Sequence, residues 1–218
     1  MTNNIQFYFG DDNLSIQLNV IGAAYKFNVK KLIFFGSSCM YPKETTQPMK
    51  ENQLWTGHLE ETSIAYASAK YAGLQMCQAI NVQTNSSSFI SVIPNSVYGP
   101  NDNFDLRSSH VLSALIRRIH EAKINNSSSV LLWGTGSPRR EFIYSDDLVS
   151  ACVVLLNSSL NYDNFPININ EGIDFSIKEL SYKITKIIGF KGKIKWDSSK
   201  PDGAMKKLLD NSKMKSLG

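Results

Sequence analysis

The sequence predicts an α/β protein built on a doubly wound parallel sheet, and three observations predict it. Apolar runs such as "KLIFF" (31–35) and "SFISVIP" (88–94) lack in/out alternation, as strands covered on both faces do. They alternate with longer segments of helical period, the order of an α/β fold. Small and polar residues follow the strands, "GSS" at 36–38 and "PNSVYGP" at 94–100. In such folds ligands bind outside the carboxyl ends of the strands.

The elements follow in order. Residues 13–29 read as a helix with Leu14, Leu18, Ile21 and Tyr25 on its apolar stripe. "KLIFFGSS" (31–38) is a short strand, and 42–62 is a loop rich in Pro, Thr, Glu and Gln. Residues 63–83 form a strong helix, and 88–94 a buried strand stopped by Pro94. Residues 109–123 are an amphipathic helix, and 129–136 a strand and turn. In 145–157, Ser145 suits a helix N-cap, with Asp146 and Asp147 in the first turn, where their charge favours capping over acid–base work. "FPININ" (165–170) is a strand. Residues 176–189 carry a capping box, Ser176 with Glu179, and close on Gly189.

Composition excludes several function classes. With 218 residues the chain can bury a core. The net charge of +4 is spread without a dense basic block, so an anionic ligand fits better than nucleic acid. No apolar run reaches membrane-spanning length. Cys39, Cys77 and Cys152 are odd in number and far apart. No metal-site spacing includes them, and a reduced, cytoplasmic protein is the expectation. The first residues show no basic-then-apolar leader pattern.

Tyr66 and Lys70 sit one helical turn apart on one face. An ammonium beside a phenol favours the phenolate, so Lys70 is expected to lower the Tyr66 pKa. A tyrosine so tuned can protonate a carbonyl oxygen as hydride reaches the carbon. Such a pair is also common on plain surface helices. Context favours chemistry, because the serines of "GSSC" end a strand about thirty residues earlier. "GTGS" (134–137) lacks a third glycine opening a helix and continues into Pro138, so it is a turn rather than a dinucleotide fingerprint. Trp55, Trp133 and Trp196 suit either a core or a sugar-facing surface.

Serine, tyrosine and lysine in this order resemble the short-chain dehydrogenase/reductase superfamily. The strings "GSSCMYPK", "AYASAKYAG", "VYGPNDNFD", "WGTGSPRREFIYSDDL" and "KPDGAMKKLLD" more closely resemble the GDP-L-fucose synthase family, from about residue 13 onward. That resemblance implies an NADPH-dependent 3,5-epimerase and 4-reductase of GDP-4-keto-6-deoxy-D-mannose, acting as a homodimer. It assigns Ser37 to polarising the ketone, Tyr66 to donating the proton, and Lys70 to tuning Tyr66 and holding the nicotinamide ribose. Cys39 and His110 become the proton-transfer pair of epimerisation, and Pro94, Asn95, Val97 and His110 contact the cofactor. A thiol and an imidazole suit that work near neutral pH. Arg118, Trp133, Arg140 and Lys207 become nucleotide-sugar contacts, since guanidinium forks suit diphosphates. Arg139 is expected to be a bystander. Residues "AMKK" depart from the family's pattern of threonine, proline and arginine before the lysine.

The implied architecture is a partial NAD(P)-binding Rossmann domain over 1–94, with 141–170 returning to it. A smaller substrate domain takes 95–140 and 171–218. The glycine-rich turn that opens such domains is not in this sequence. At roughly 30 residues per βαβ unit, at least two opening units and a final helix are expected to be missing. An apolar sheet edge and helix faces should then be uncovered.

Overall fold

The computed structural model describes residues 3–158 and 163–217. They divide into two units, Met1–Asn95 with Asp146–Gly172 and Leu209–Gly218, and Ser96–Ser145 with Ile173–Leu208.

The first unit contains helix α1 (Asn3–Lys26), strand β1 (Leu32–Phe35), helix α2 (Ile64–Thr84) and strand β2 (Phe89–Pro94). Helix α1 starts ten residues before the segment 13–29 that the sequence marks as helical, and of the expected apolar stripe only Ile21 is buried, while Leu14, Leu18 and Tyr25 are exposed. Every residue of β2 is buried, which is why its sequence shows no alternation. It lies between β1 and a later strand, β6 below, and pairs parallel with both. Helix α2 packs on α1 and β2. Gly73 permits the close approach: a Cβ there would stand 2.4 Å from Phe34 Cζ. Ile21, Phe34, Met40, Tyr41, Leu74 and Ile93 form the core, and a large apolar side chain so buried contributes roughly 1.5–3 kcal/mol. Buried Gln17 donates from Nε2 to Ala69 O at 2.8 Å.

The second unit opens with β3 (Ser96–Tyr98), α3 (Val111–Ile124), β4 (Ser129–Trp133) and β5 (Arg139–Tyr144). The chain then forms α4 (Ser145–Asn157) and β6 (Ile167–Ile169), whose residues beyond Ser145 return to the first unit. It continues with β7 (Asp174–Ser176), α5 (Ile177–Ile188), β8 (Lys193–Asp197), β9 (Lys206–Lys207) and the short α6 (Ser212–Ser216). Strand β5 pairs parallel with β3 and β9 and antiparallel with β7. Strands β4 and β8 form a parallel ribbon. Helix α5 has the expected capping box at Ser176, and Gly189 closes it at φ +76°.

Two boundaries depart from the expected division. Residues 141–144 pair with β3 and β7 and so stay in the second unit. The C-terminal segment joins the first unit, where Leu209 bridges Met49 and Asn170 donates to Leu209 O at 2.8 Å.

Large apolar side chains stand exposed in the first unit: Leu14, Ile16, Leu18 and Val20 of α1, and Val149, Val153 and Val154 of α4. Strand β1 is an edge of its sheet among the described residues, and Phe35 is exposed on it.

Candidate functional site

Strand β1 ends at Gly36, whose N–H donates to Val92 O at 2.8 Å. A Cβ there would meet Met40 Sδ at 3.1 Å, so the glycine lets the chain turn tightly beneath β2. A short 3₁₀ turn, Ser38–Met40, follows with Ser37 as its cap. The Cys39 N–H donates to Ser37 Oγ at 3.2 Å. Strand alternation therefore stops at residue 36, and Ser38 donates to the buried Asn95 Oδ1 at 3.4 Å. Pro94 ends β2 opposite Ile169.

Helix α2 grips this turn with two tyrosines. Tyr66 shares a hydrogen bond with the Ser37 side chain, and the Tyr71 hydroxyl donates to Met40 O. Tyr71 also accepts the Trp55 N–H at 3.2 Å. Trp55 sits at φ +69° with its ring 3.8 Å from that of Tyr71. The first unit thus brings Ser37, Cys39, Tyr66, Lys70, Pro94 and Asn95 into one unit, at and around the carboxyl ends of β1 and β2. Cys39 is partly exposed, whereas Cys77 and Cys152 are buried.

The electrostatics differ from the expectation. Burial pushes the Tyr66 phenol above its usual value; the Ser37 hydrogen bond lowers it and Cys39 raises it further. Lys70 does not lower it. Its Nζ lies over the faces of the Phe34 and Tyr66 rings, 5.3 and 5.9 Å from the centroids. There burial depresses the ammonium's own pKa. A partly desolvated ammonium over the ring face does not offset the burial of the phenol. Tyr66 is therefore held protonated at neutral pH, the state of a proton donor.

The second unit carries the remaining residues. Val97 lies in β3. His110 is the exposed residue before α3, without a side-chain cap bond. The segment leading to it is tied to α3, because Ser113 bonds Asp102 and Arg117 donates to Phe104 O at 2.8 Å. Arg118, half-buried, stacks its guanidinium 5.4 Å from the Trp133 ring centroid. Trp133 is 62% exposed at the end of β4, while Trp196 packs against the core of its unit. Arg140 and Lys207 are register partners on β5 and β9. Burial lowers the Arg140 pKa, and the charge of Asp202 acts against that. Arg139 is committed elsewhere, to Asp174 at 2.8 Å and Glu179 at 3.3 Å. Gly134 and Gly136 both take positive φ, which a turn requires and a phosphate-binding helix start does not.

Sequence reasoning missed Asp202 and Lys200. Asp202 accepts bonds from the N–H and the hydroxyl of Thr135, each at 2.7 Å, and Lys200 lies 5.8 Å from the Trp133 centroid. No local pattern joins residues 67 positions apart.

A sequence model of the NAD dependent epimerase/dehydratase family matches residues 2–169. GDP-L-fucose synthase 1 of Arabidopsis thaliana is 50% identical over 206 residues, covering 94% of this chain and 63% of that protein. The chain thus spans a little under two thirds of that curated relative. A GDP-6-OMe-4-keto-L-xylo-heptose reductase from C. jejuni superposes with a TM-score of 0.89 at 38% identity, covering 98% of this chain and 72% of that one. A GDP-L-fucose synthetase from Naegleria fowleri bound to NADP gives 0.89 at 30% identity, covering 98% and 68%.

Proposed function

We propose, from the premise that this chain belongs to the NAD dependent epimerase/dehydratase family, that it acts on a GDP-linked 4-keto sugar as an NADPH-dependent epimerase-reductase. The substrate is GDP-4-keto-6-deoxy-D-mannose and the product GDP-L-fucose, in keeping with relatives named GDP-L-fucose synthase. The observation that carries this reading is the hydrogen-bonded Ser37–Tyr66 pair with Lys70 beside it.

The residues present fit the nicotinamide end of the cofactor: two hydroxyls and an ammonium near the carboxyl ends of parallel strands. Ser37, Tyr66, Lys70, Pro94 and Asn95 of the first unit would hold it. Bound NADPH supplies hydride to the sugar C4. Tyr66 gives its phenolic proton to O4, so the ketone becomes an alcohol. Ser37 donates a hydrogen bond to the same oxygen as its charge grows, stabilisation that acts chiefly in the transition state. Lys70 would orient the nicotinamide ribose. Cys39 and His110 move protons at C3 and C5 before reduction. Arg118, Arg140 and Lys207 neutralise the diphosphate, and Trp133 offers a flat apolar face to the guanosine or the sugar.

We infer a homodimer in the cytoplasm. The exposed apolar side chains of α1 support an oligomer. The three unbridged cysteines support a reducing compartment, and no described helix is long and apolar enough to cross a membrane.

Titration of this chain with GDP and with NADPH tests the reading. Saturable binding of both is expected. Binding of GDP alone favours a nucleotide-sugar-binding protein without reductase activity, and binding of neither refutes the reading.

A further inference from the structure

The short turn Ser38–Met40 of the first unit carries Cys39 between two fixed ends. At the first end Ser37 caps the turn, its side-chain oxygen accepting the Cys39 N–H at 3.2 Å, and it shares a hydrogen bond with Tyr66. At the other end the Met40 carbonyl accepts the Tyr71 hydroxyl. Tyr66 and Tyr71 both belong to α2, so one helix holds both ends. Met40 is 0% exposed, so its carbonyl has no water to take the place of that hydroxyl. Beyond the turn the chain is anchored separately, by the Tyr41 hydroxyl donating to Asn168 Oδ1 at 2.7 Å. The Tyr71 oxygen also accepts the Trp55 N–H at 3.2 Å, and the two rings lie 3.8 Å apart. Burial holds the Tyr71 phenol above its ordinary value, against the pull of the Trp55 bond, so the hydroxyl keeps the proton that it donates.

We propose that Tyr71 is a positioning residue for Cys39: its hydroxyl closes the Met40 end of the turn and so sets where the thiol stands. This rests on the reading above, in which Cys39 serves epimerisation. That step takes a proton from a carbon beside the ketone and returns one to the other face of the same carbon. The thiol must therefore stand within reach of a ring carbon, and misplacing a reacting group by about 1 Å can cost roughly a hundredfold. Reduction uses Ser37 and Tyr66, at the end of the turn that Tyr71 does not hold. Loss of the Tyr71 hydroxyl therefore falls on epimerisation before reduction.

Two variants separate the hydroxyl from the ring. Y71F keeps the ring and frees both Met40 O and the Trp55 N–H. W55A removes the stacked ring and keeps that N–H. On the whole chain we would follow amide exchange, deuterium uptake from D2O at C3 and C5 of GDP-4-keto-6-deoxy-D-mannose without NADPH, and hydride transfer to ketone already epimerised by the unaltered chain. In Y71F, amide exchange should rise at 39–41 but not in strand β2. Deuterium uptake should fall about tenfold or more, while hydride transfer stays within roughly threefold. W55A should show smaller changes of the same kind. Unchanged exchange at 39–41 in Y71F overturns the proposal, and so does a rise shared equally by β2. Equal losses of deuterium uptake and hydride transfer also overturn it, because they mean a loosened site rather than a misplaced thiol. An effect of W55A as large as that of Y71F does the same, because it puts the control in the ring stack. C39S tests the premise: deuterium uptake that survives in C39S, or that the unaltered chain lacks, fails the reading of Cys39 instead. The role of Tyr71 in fixing the turn is then decided by exchange at 39–41 alone.

Discussion

At the scale of single residues, burial sets the protonation states that the chemistry uses. Burial raises the Tyr66 pKa despite the Ser37 hydrogen bond, so the alkaline limb of reductase activity should lie above the ordinary phenol value, and S37A should move it further up. A pH–rate profile of the two proteins checks this. Cys77 offers a stability test. Burial raises its thiol from 9.0 to about 12. Folding holds the protonated thiol, so its contribution is complete below pH 9 and is lost as pH climbs toward 12. Denaturant midpoints should fall across that window, and less steeply in C77A. Side-chain type and spacing singled out Tyr66 and Lys70, with the serines of "GSSC" as their context, whereas Cys39 came only from the family resemblance. Sequence reasoning misjudged how Lys70 acts, since spacing does not say whether an ammonium faces the hydroxyl or the ring. Ser38 was likewise illegible: its partner Asn95 is 57 residues away.

At the scale of elements, helices were legible and short strands were not. Ser176 with Glu179 announced the start of α5, and S176A should cost about 1 kcal/mol, read as a lower melting temperature. Strands β3, β5, β8 and β9 escaped because they are short or charge-rich, and their pairing comes from distant segments. "RREFIY" forms a strand because β3, β7 and β9 flank it, not because its own pattern demands one. Helix α2 makes the converse point. Its Gly73 is unfavourable for a helix interior by about 1 kcal/mol, yet an alanine would clash with Phe34. G73A should therefore destabilise the chain by roughly 1–3 kcal/mol rather than stabilise it, as denaturant unfolding will register.

At the scale of the molecule, the first unit carries Ser37, Tyr66 and Lys70, and the second unit carries Arg118, Arg140 and Lys207. The α/β class was readable from the fully buried strand β2. The interleaving of the units was harder to read, because a return such as Leu209 to Met49 leaves no mark in either segment. The exposed leucines of α1 predict self-association: the chain should sediment as a dimer, and L18E should shift it toward monomer. The central claim is that Tyr66 donates the proton in reduction of a GDP-linked 4-keto sugar. Its most direct test is loss of nicotinamide absorbance when the chain meets NADPH and GDP-4-keto-6-deoxy-D-mannose, compared with Tyr66→Phe. Steady consumption by the unaltered chain and none by Y66F is the predicted result; equal consumption by both would contradict it.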